Sequence, residues 1–365
     1  MAGQRRVLLG QLGANGDCVY ATTVARQIKA DFPDCHLTWA IGSMCRHVIA
    51  HNPHVDDVWE VPLARRADSA AAWRQFVRDA RGRQQQGDFD DVYLTQIYPD
   101  NLHNFDGTVR ASIFRGYSGP ITVPVTPVIR LDAEDVARVA AFAARHGLTK
   151  AGRAILFESA PLSGQSPMTS EWVAAIAREL ARALPDCRLI SASPLGSGGD
   201  GVIDASGLGF RDISELARYC SLFVGCSSGI TWLLTSDAAP PIPMVQILSA
   251  RAGDYGAVVH DLDYWGLPSG HVIELRDGTA EQAASCVIDA MTHGIAAARQ
   301  RHHQELAPRF DFYMEMMVPK LRQGELRTFA RSLRAAVARY GPRPVLIDGL
   351  ARHVLRKLVG RYVKR

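Results

Sequence analysis

The sequence predicts two doubly wound α/β domains, and three observations carry that prediction. Its 365 residues exceed the roughly 100 to 200 of one ordinary domain. Short β-rich runs alternate with amphipathic helical stretches, and the alternation starts a second time near residue 154. Clusters of Pro and Gly at 161–167 and 194–201 fall just after strands of the second series, where ligands bind in open parallel sheets.

In chain order, Arg6 to Leu12, His36 to Ile41, Val58 to Val61 and Val92 to Thr95 read as buried strands. Between the first two, Tyr20, Val24, Ile28 and Phe32 repeat every fourth residue, one stripe of a helix from Asp17 that Pro33 ends. A helix capped by Asp132 runs to Gly147. The second series then reads strand Ala154 to Phe157, helix Ser170 to Ala183, strand Arg188 to Ser191, helix Ser214 to Tyr219, and strands Leu222 to Gly225 and Met244 to Leu248. From about residue 300 the chain is helical again, with Leu326, Phe329, Leu333, Val337 and Tyr340 at three- and four-residue spacing. The expected division is 1–150, 151–300 and a helical basic tail at 301–365.

Hydrophobic residues are 47% and charged residues 21% of the chain, as in globular proteins. No window approaches the ~18 apolar residues of a membrane span, and the first ten residues are too short and glycine-broken for a secretory signal, so a cytoplasmic location is expected. Seven cysteines without a C-x-x-C pair argue against a disulfide framework and a zinc ribbon. The net charge of +4 hides an asymmetry: Lys320 to Arg365 holds 13 Lys and Arg against Glu325 and Asp348, so the rest of the chain is acidic and no nucleic-acid partner is expected. With an apolar side at Val345, Leu346, Ile347, Leu350, Val354, Leu358 and Tyr362, the tail has two readings. It is either a solvated helical face or a contact with the anionic inner face of the cytoplasmic membrane, and the charge favours the contact.

The first strand runs into Gly10-Gln11-Leu12-Gly13-Ala14-Asn15-Gly16-Asp17. This lacks the G-x-G-x-x-G spacing of dinucleotide sites, which weakens a nicotinamide-dependent oxidoreductase reading. By residue type alone Asp17 is a helix N-cap. The functional alternative is a carboxylate on a glycine-rich turn at a cleft mouth, placed to take a proton from a hydroxyl.

Leu12-Gly13-x-x-Gly16-Asp17, Asp31-Phe32-Pro33-Asp34 and Asn52-Pro53-His54-Val55-Asp56-Asp57-Val58 together resemble the start of the bacterial heptosyltransferases, glycosyltransferase family nine. The resemblance continues at Asp204-x-Ser206-Gly207, Ile213-x-Glu215-Leu216-Ala217 and Phe223 to Gly229, and covers most of residues 6–250. It implies the GT-B architecture, with acceptor held mainly by the first domain and nucleotide sugar by the second. It also implies Asp17 as general base of an inverting sugar transfer from a nucleotide-diphosphate sugar to a cell-surface glycan or glycolipid such as lipopolysaccharide. A family lysine that contacts donor phosphates has no counterpart in Ser166-Pro167-Met168-Thr169-Ser170-Glu171-Trp172, and the family D-S-G-x-x-H appears as Ser227-Ser228-Gly229-Ile230-Thr231-Trp232. These losses keep open a degenerate member that binds a nucleotide sugar or glycan without turnover.

Under this resemblance the donor diphosphate is expected at Ser163, Gly164, Gln165, Ser166, Ser227, Ser228 and Gly229, held by N–H groups and a helix start, with Arg211 supplying positive charge. The acceptor is expected at Gly13, Asn15, Gly16, Tyr98, Asn101 and His103, hydrogen-bonding groups beside an aromatic face. No cofactor and no obligatory metal are expected. His51-Asn52-Pro53-His54 is a turn because Pro53 breaks the helix that would present two ligands. Asp261-Leu262-Asp263, which imitates a metal-binding D-x-D, reads as a solvated loop, and His302-His303 as surface.

Overall fold

The computed structural model describes residues 4–158, 164–195, 201–306, 308, 310–349 and 351–353. Its first half is built on β1 (Arg6–Gly10), α1 (Asn15–Asp31), β2 (His36–Gly42), β3 (Asp57–Val61), α2 (Ser69–Gln85), β4 (Asp91–Leu94), α3 (Arg110–Phe114) and α4 (Ala133–Arg145). The second comprises β5 (Ala154–Phe157), α5 (Ser170–Ala183), β6 (Arg188–Ser191), β7 (Val202–Asp204), α6 (Asp212–Leu216), β8 (Leu222–Gly225), α7 (Gly229–Leu233), β9 (Met244–Leu248), α8 (Gly253–Gly256), α9 (Val258–Tyr264), β10 (Val272–Arg276) and α10 (Ala280–His293). Then follow α11 (Ile295–His302), α12 (Asp311–Arg322), α13 (Leu326–Tyr340) and a π-helical segment, Arg343–Gly349.

All strand pairs are parallel, in a four-stranded sheet ordered β3-β2-β1-β4 and a six-stranded sheet ordered β10-β9-β8-β5-β6-β7. Read from β7, the second order is the 3-2-1-4-5-6 of a dinucleotide-type sheet, and the first is its opening half. The order therefore reverses beside β1 and β4 in one sheet and beside β5 and β8 in the other. Loops at those reversals form clefts at the carboxyl edge.

Four of the expected strands have the observed bounds, and α5 begins and ends where its apolar period places it. The first strand stops at Gly10, two residues early, because the Leu12 N–H turns away to donate to Gln96 Oε1 (3.1 Å). Helix α1 correspondingly starts at Asn15 with Ala14 as its N-cap, so Asp17 stands inside the first turn and is not the cap. The Asp132 cap of α4 is present as a reciprocal capping box with Asp135. Strand β10 escapes the apolar pattern because buried Glu274 and half-buried Arg276 lie within it, paired to each other and with Glu274 accepting from the Val258 and Val259 N–H groups.

Charge also joins the two halves. Arg110 of α3 is fully buried against Asp261 (3.0 Å) of α9, with its guanidinium over the Tyr20 ring. Asp261 is thus a buried ion-pair partner within a helix and not part of a solvated loop. The adjacent histidines are likewise tied down: His302 Nε2 meets Asp289 (2.7 Å) and His303 Nδ1 accepts from the Glu274 N–H (3.0 Å). The His51–His54 segment is a turn, with His51 at φ 59° and Asn52 Oδ1 accepting from the His54 N–H. All seven cysteines are free, five of them buried. Among the described residues no helix is long and apolar enough to cross a membrane.

The described part of the basic segment crosses back to the first half. Ser332 Oγ donates to the Phe105 carbonyl (2.6 Å), Tyr313 stacks on Phe105, and Arg339 reaches buried Asp106 (3.6 Å). Val345 is fully buried, so this end of the expected apolar side faces protein. Leu350, Val354, Leu358 and Tyr362 lie outside the described residues.

Candidate functional site

A cavity of about 640 Å³ opens where the carboxyl edges of the two sheets face each other. Its first wall comes from loops after β1 (Gly13 to Asp17), β2 (Met44, Cys45), β3 (Leu63, Arg66) and β4 (Gln96 to Tyr98). Its second wall comes from loops after β5 (Glu158, Gln165) and β8 (Ser228, Gly229), closed by Tyr255 and by Phe312 and Met316 of α12. The two order reversals thus supply opposite walls of one chamber.

Asp17 keeps an edge open to this chamber, yet protein crowds its carboxyl and burial pushes its pKa up to about 7. A hydrogen bond from the Ala14 backbone and the field of Arg66 work in the other direction. Helix α1 is 17 residues long and Ala14 offers no side-chain cap, so the positive end of a full helix dipole lies beside the carboxylate. The result is a group that exchanges its proton around neutral pH and, once ionised, retains the basicity to accept one.

Opposite stands Glu158, directly after β5 and almost fully buried. Burial raises its pKa to about 7 as well, while Ser228 Oγ donates to its carboxylate and Ser228 also accepts from the Ile230 N–H (3.2 Å). Sequence reasoning missed Glu158, although an acid directly after the apolar run Ala154 to Phe157 is the signal that marks it. It missed Arg66 too, the one Lys or Arg among the described lining residues.

Two amide oxygens at the chamber, Asn15 Oδ1 and Gln165 Oε1, are buried without a hydrogen-bond partner. Gln165 is anchored through its Nε2, which donates to the Ser227 carbonyl (3.0 Å). Unpartnered buried acceptors are costly unless a ligand brings donors, and hydroxyl groups are such donors.

The other expected site residues fare differently. Gly13, Asn15, Gly16, Asp17, Tyr98, Gln165, Ser228 and Gly229 line the chamber. Ser227 and Ser166 do not: the Ser227 N–H donates to Gln246 Oε1 (2.8 Å), and Ser166 Oγ accepts from the Met168 N–H (3.1 Å). Gly164, at φ 69°, shapes the turn before Gln165 and is not among the lining residues. Ser163 lies outside the described residues. Asn101 is occupied in donating to the Leu94 and Gln96 carbonyls, and His103 points to a different cavity. Arg211, expected at the diphosphate, is engaged elsewhere. Its guanidinium pairs with Asp135 (2.8 Å) and donates to the Arg130 carbonyl (2.8 Å), which ties α6 to α4, and it is absent from the chamber wall. Helix α7 has five residues, too few for a strong dipole, and Ser228 already takes the N–H of Ile230, its second residue. Trp232 packs against Tyr20 across the two halves (4.9 Å between rings), which accounts for an aromatic residue at that position.

Two Rossmann-ordered sheets with a chamber between their switch points define the GT-B architecture. Solved structures bear this out. The chain is similar to a family 9 glycosyl transferase from Veillonella parvula, at 15% identity and a TM-score of 0.55 over 82% of this chain and 96% of that one. It is similar to the E. coli ADP-heptose lps heptosyltransferase II, at 11% identity and a TM-score of 0.51 over 80% and 99%. A protein assigned as a UDP-N-acetylglucosamine 2-epimerase from Listeria monocytogenes matches at 11% identity and a TM-score of 0.50 over 88% and 97%. No protein-family model and no curated protein matches the sequence. At these identities the likeness is one of fold.

Proposed function

We propose that the chain is an inverting glycosyltransferase that moves a sugar, heptose or a similar unit, from a nucleotide-diphosphate sugar to a hydroxyl of a cell-surface glycan or glycolipid. The observation that carries this reading is Asp17, basic enough to take a proton, facing Glu158, Ser228 and Gly229 across a chamber with unpartnered acceptor oxygens. In this reading the first half holds the acceptor and the second half the nucleotide sugar. Asp17 accepts the acceptor proton as the acceptor oxygen attacks the anomeric carbon, and the nucleoside diphosphate departs from the opposite face. Charge on the leaving group is met by N–H groups at Ser228 and Gly229 and by Glu158, which carries its proton when an anion is beside it. No metal takes part in these steps.

Binding without turnover is the second reading, favoured by the single cationic side chain among the described lining residues. A panel of ADP-heptose, UDP-N-acetylglucosamine and GDP-mannose distinguishes the outcomes. One of them should raise the melting temperature, since saturation at 100 times Kd adds about 2.7 kcal/mol. Release of nucleoside diphosphate with a glycolipid acceptor identifies the transferase, and absence of any thermal shift overturns the donor-site reading.

We also propose peripheral contact of the basic segment with an anionic membrane surface, now confined to residues beyond the packed Val345. Removing 354–365, which carries Arg356, Lys357, Arg361, Lys364 and Arg365, should abolish sedimentation with anionic vesicles at low salt. Equal sedimentation of both proteins would refute the contact.

A further inference from the structure

The turn at residues 102–105 faces two cavities. Leu102 and Phe105 line the chamber described above, whereas His103 and Asn104 line a second one, also of about 640 Å³. Its remaining walls come from the end of α3, the 117–121 loop, Tyr264 and Trp265 at the end of α9, and one face of α13. No Asp or Glu is among its described lining residues, but Arg115, Arg331, Arg334 and His103 are.

These cations are not equivalent. Arg115 is neutralised by buried Asp106 (2.6 Å) and donates to the Asn104 carbonyl. Arg331 and Arg334 are exposed and, among the described residues, have neither an ion pair nor a hydrogen bond. Three residues apart on α13, they share a helix face, where like charges oppose each other and helix stability gains nothing. The field of Arg331 adds to burial in depressing the His103 pKa, so positive potential extends across the groove.

Beside the two arginines are aromatic surfaces. Trp265 is fixed edge-to-face against Phe114 (5.1 Å) and Tyr264 (5.2 Å), and its indole N–H is buried without a partner. Tyr264 is 47% exposed, with the Arg339 guanidinium 3.6 Å from its ring centre. Two fork-shaped cations, an unused N–H donor and aromatic faces match an anionic ligand that also has a ring with hydroxyl groups. A bare oxyanion would leave the aromatic surfaces unused.

We propose that this second groove binds a phosphorylated sugar, with its phosphate on Arg331 and Arg334 and its ring on Trp265 and Tyr264. The assignment does not depend on the transferase reading. Glucose 6-phosphate, glucose and inorganic phosphate are the probes, followed through the Trp265 indole ¹H–¹⁵N resonance, which Trp265→Phe identifies. Glucose 6-phosphate should shift that resonance at millimolar concentration, and glucose or phosphate alone should bind at least about tenfold more weakly. The Arg331→Ala/Arg334→Ala double variant should lose the shift, while any melting-temperature gain from a nucleotide sugar persists. Both arginines are exposed and unbonded, so the variant should fold. An undiminished shift in the double variant, an equal response to inorganic phosphate, or no response to glucose 6-phosphate would overturn the proposal.

Discussion

Gly16 of α1 and Gly229 of α7 touch across the two halves: a Cβ on Gly16 would lie 3.4 Å from Gly229 Cα, and one on Gly229 would lie 3.2 Å from the Gly16 nitrogen. Each glycine lies in the first turn of a helix that begins at a sheet reversal, and each lines the chamber. Their lack of side chains lets the base-bearing turn and the Ser228 turn approach backbone to backbone. Asp17 and Glu158 thereby come to share one chamber.

Gly229→Val forces atoms into that contact, where Phe210 (3.4 Å) and Asn15 (3.2 Å) also crowd the position. Overpacking of this kind costs about 1–3 kcal/mol. The variant should remain folded by circular dichroism, melt several degrees lower, and bind nucleotide sugar at least about tenfold more weakly. Unchanged affinity would mean that the approach of the two turns is incidental to the site.

The raised Asp17 pKa is also a statement about stability. The folded chain holds a proton on Asp17 up to about pH 7, whereas the unfolded chain releases it near 3.8, so this group's contribution falls as pH rises between those values. Burial raises Glu158 and Asp254 to about 7 too, with the same sign. Asp17→Asn, which cannot ionise, should therefore melt higher than the wild type at pH 8, with the advantage shrinking toward pH 4. A variant destabilised equally at both pH values would contradict the assignment of burial as the cause.

Glu158 gives a linkage signature. An anionic ligand beside Ser228 raises the Glu158 pKa further, so binding takes up a proton near neutral pH and affinity falls as pH rises above about 7. Calorimetry of nucleoside diphosphate in buffers of different ionisation enthalpy measures that uptake. Glu158→Gln should remove it and flatten the pH dependence. Identical proton uptake in the variant would move the anion away from this wall.

Much of this was legible in the sequence because parallel strands buried on both faces are continuous apolar runs. Val7 to Leu9, Ala154 to Phe157 and Leu222 to Val224 are such runs, with almost no exposure. The glycine-rich turn and Asp17 were legible for a related reason, since a turn after a strand has few residue types available to it. What escaped was decided by distant partners. Nothing local to Arg211 announces that Asp135, 76 positions earlier, will claim its guanidinium, and nothing local to Asp261 announces Arg110. Charged residues inside strand β10 concealed it from an apolar pattern, because Glu274 and Arg276 satisfy each other only once folded.

The most direct test of Asp17 as the proton acceptor is the transfer rate of Asp17→Asn, measured as nucleoside diphosphate released from the nucleotide sugar that stabilises the wild type, with acceptor present. The variant should keep intact donor binding and transfer at a rate lower by about 100-fold or more, with wild-type kcat/KM rising with pH toward a plateau set by a pKa near 7. Near-normal turnover in the folded variant would contradict that role for Asp17.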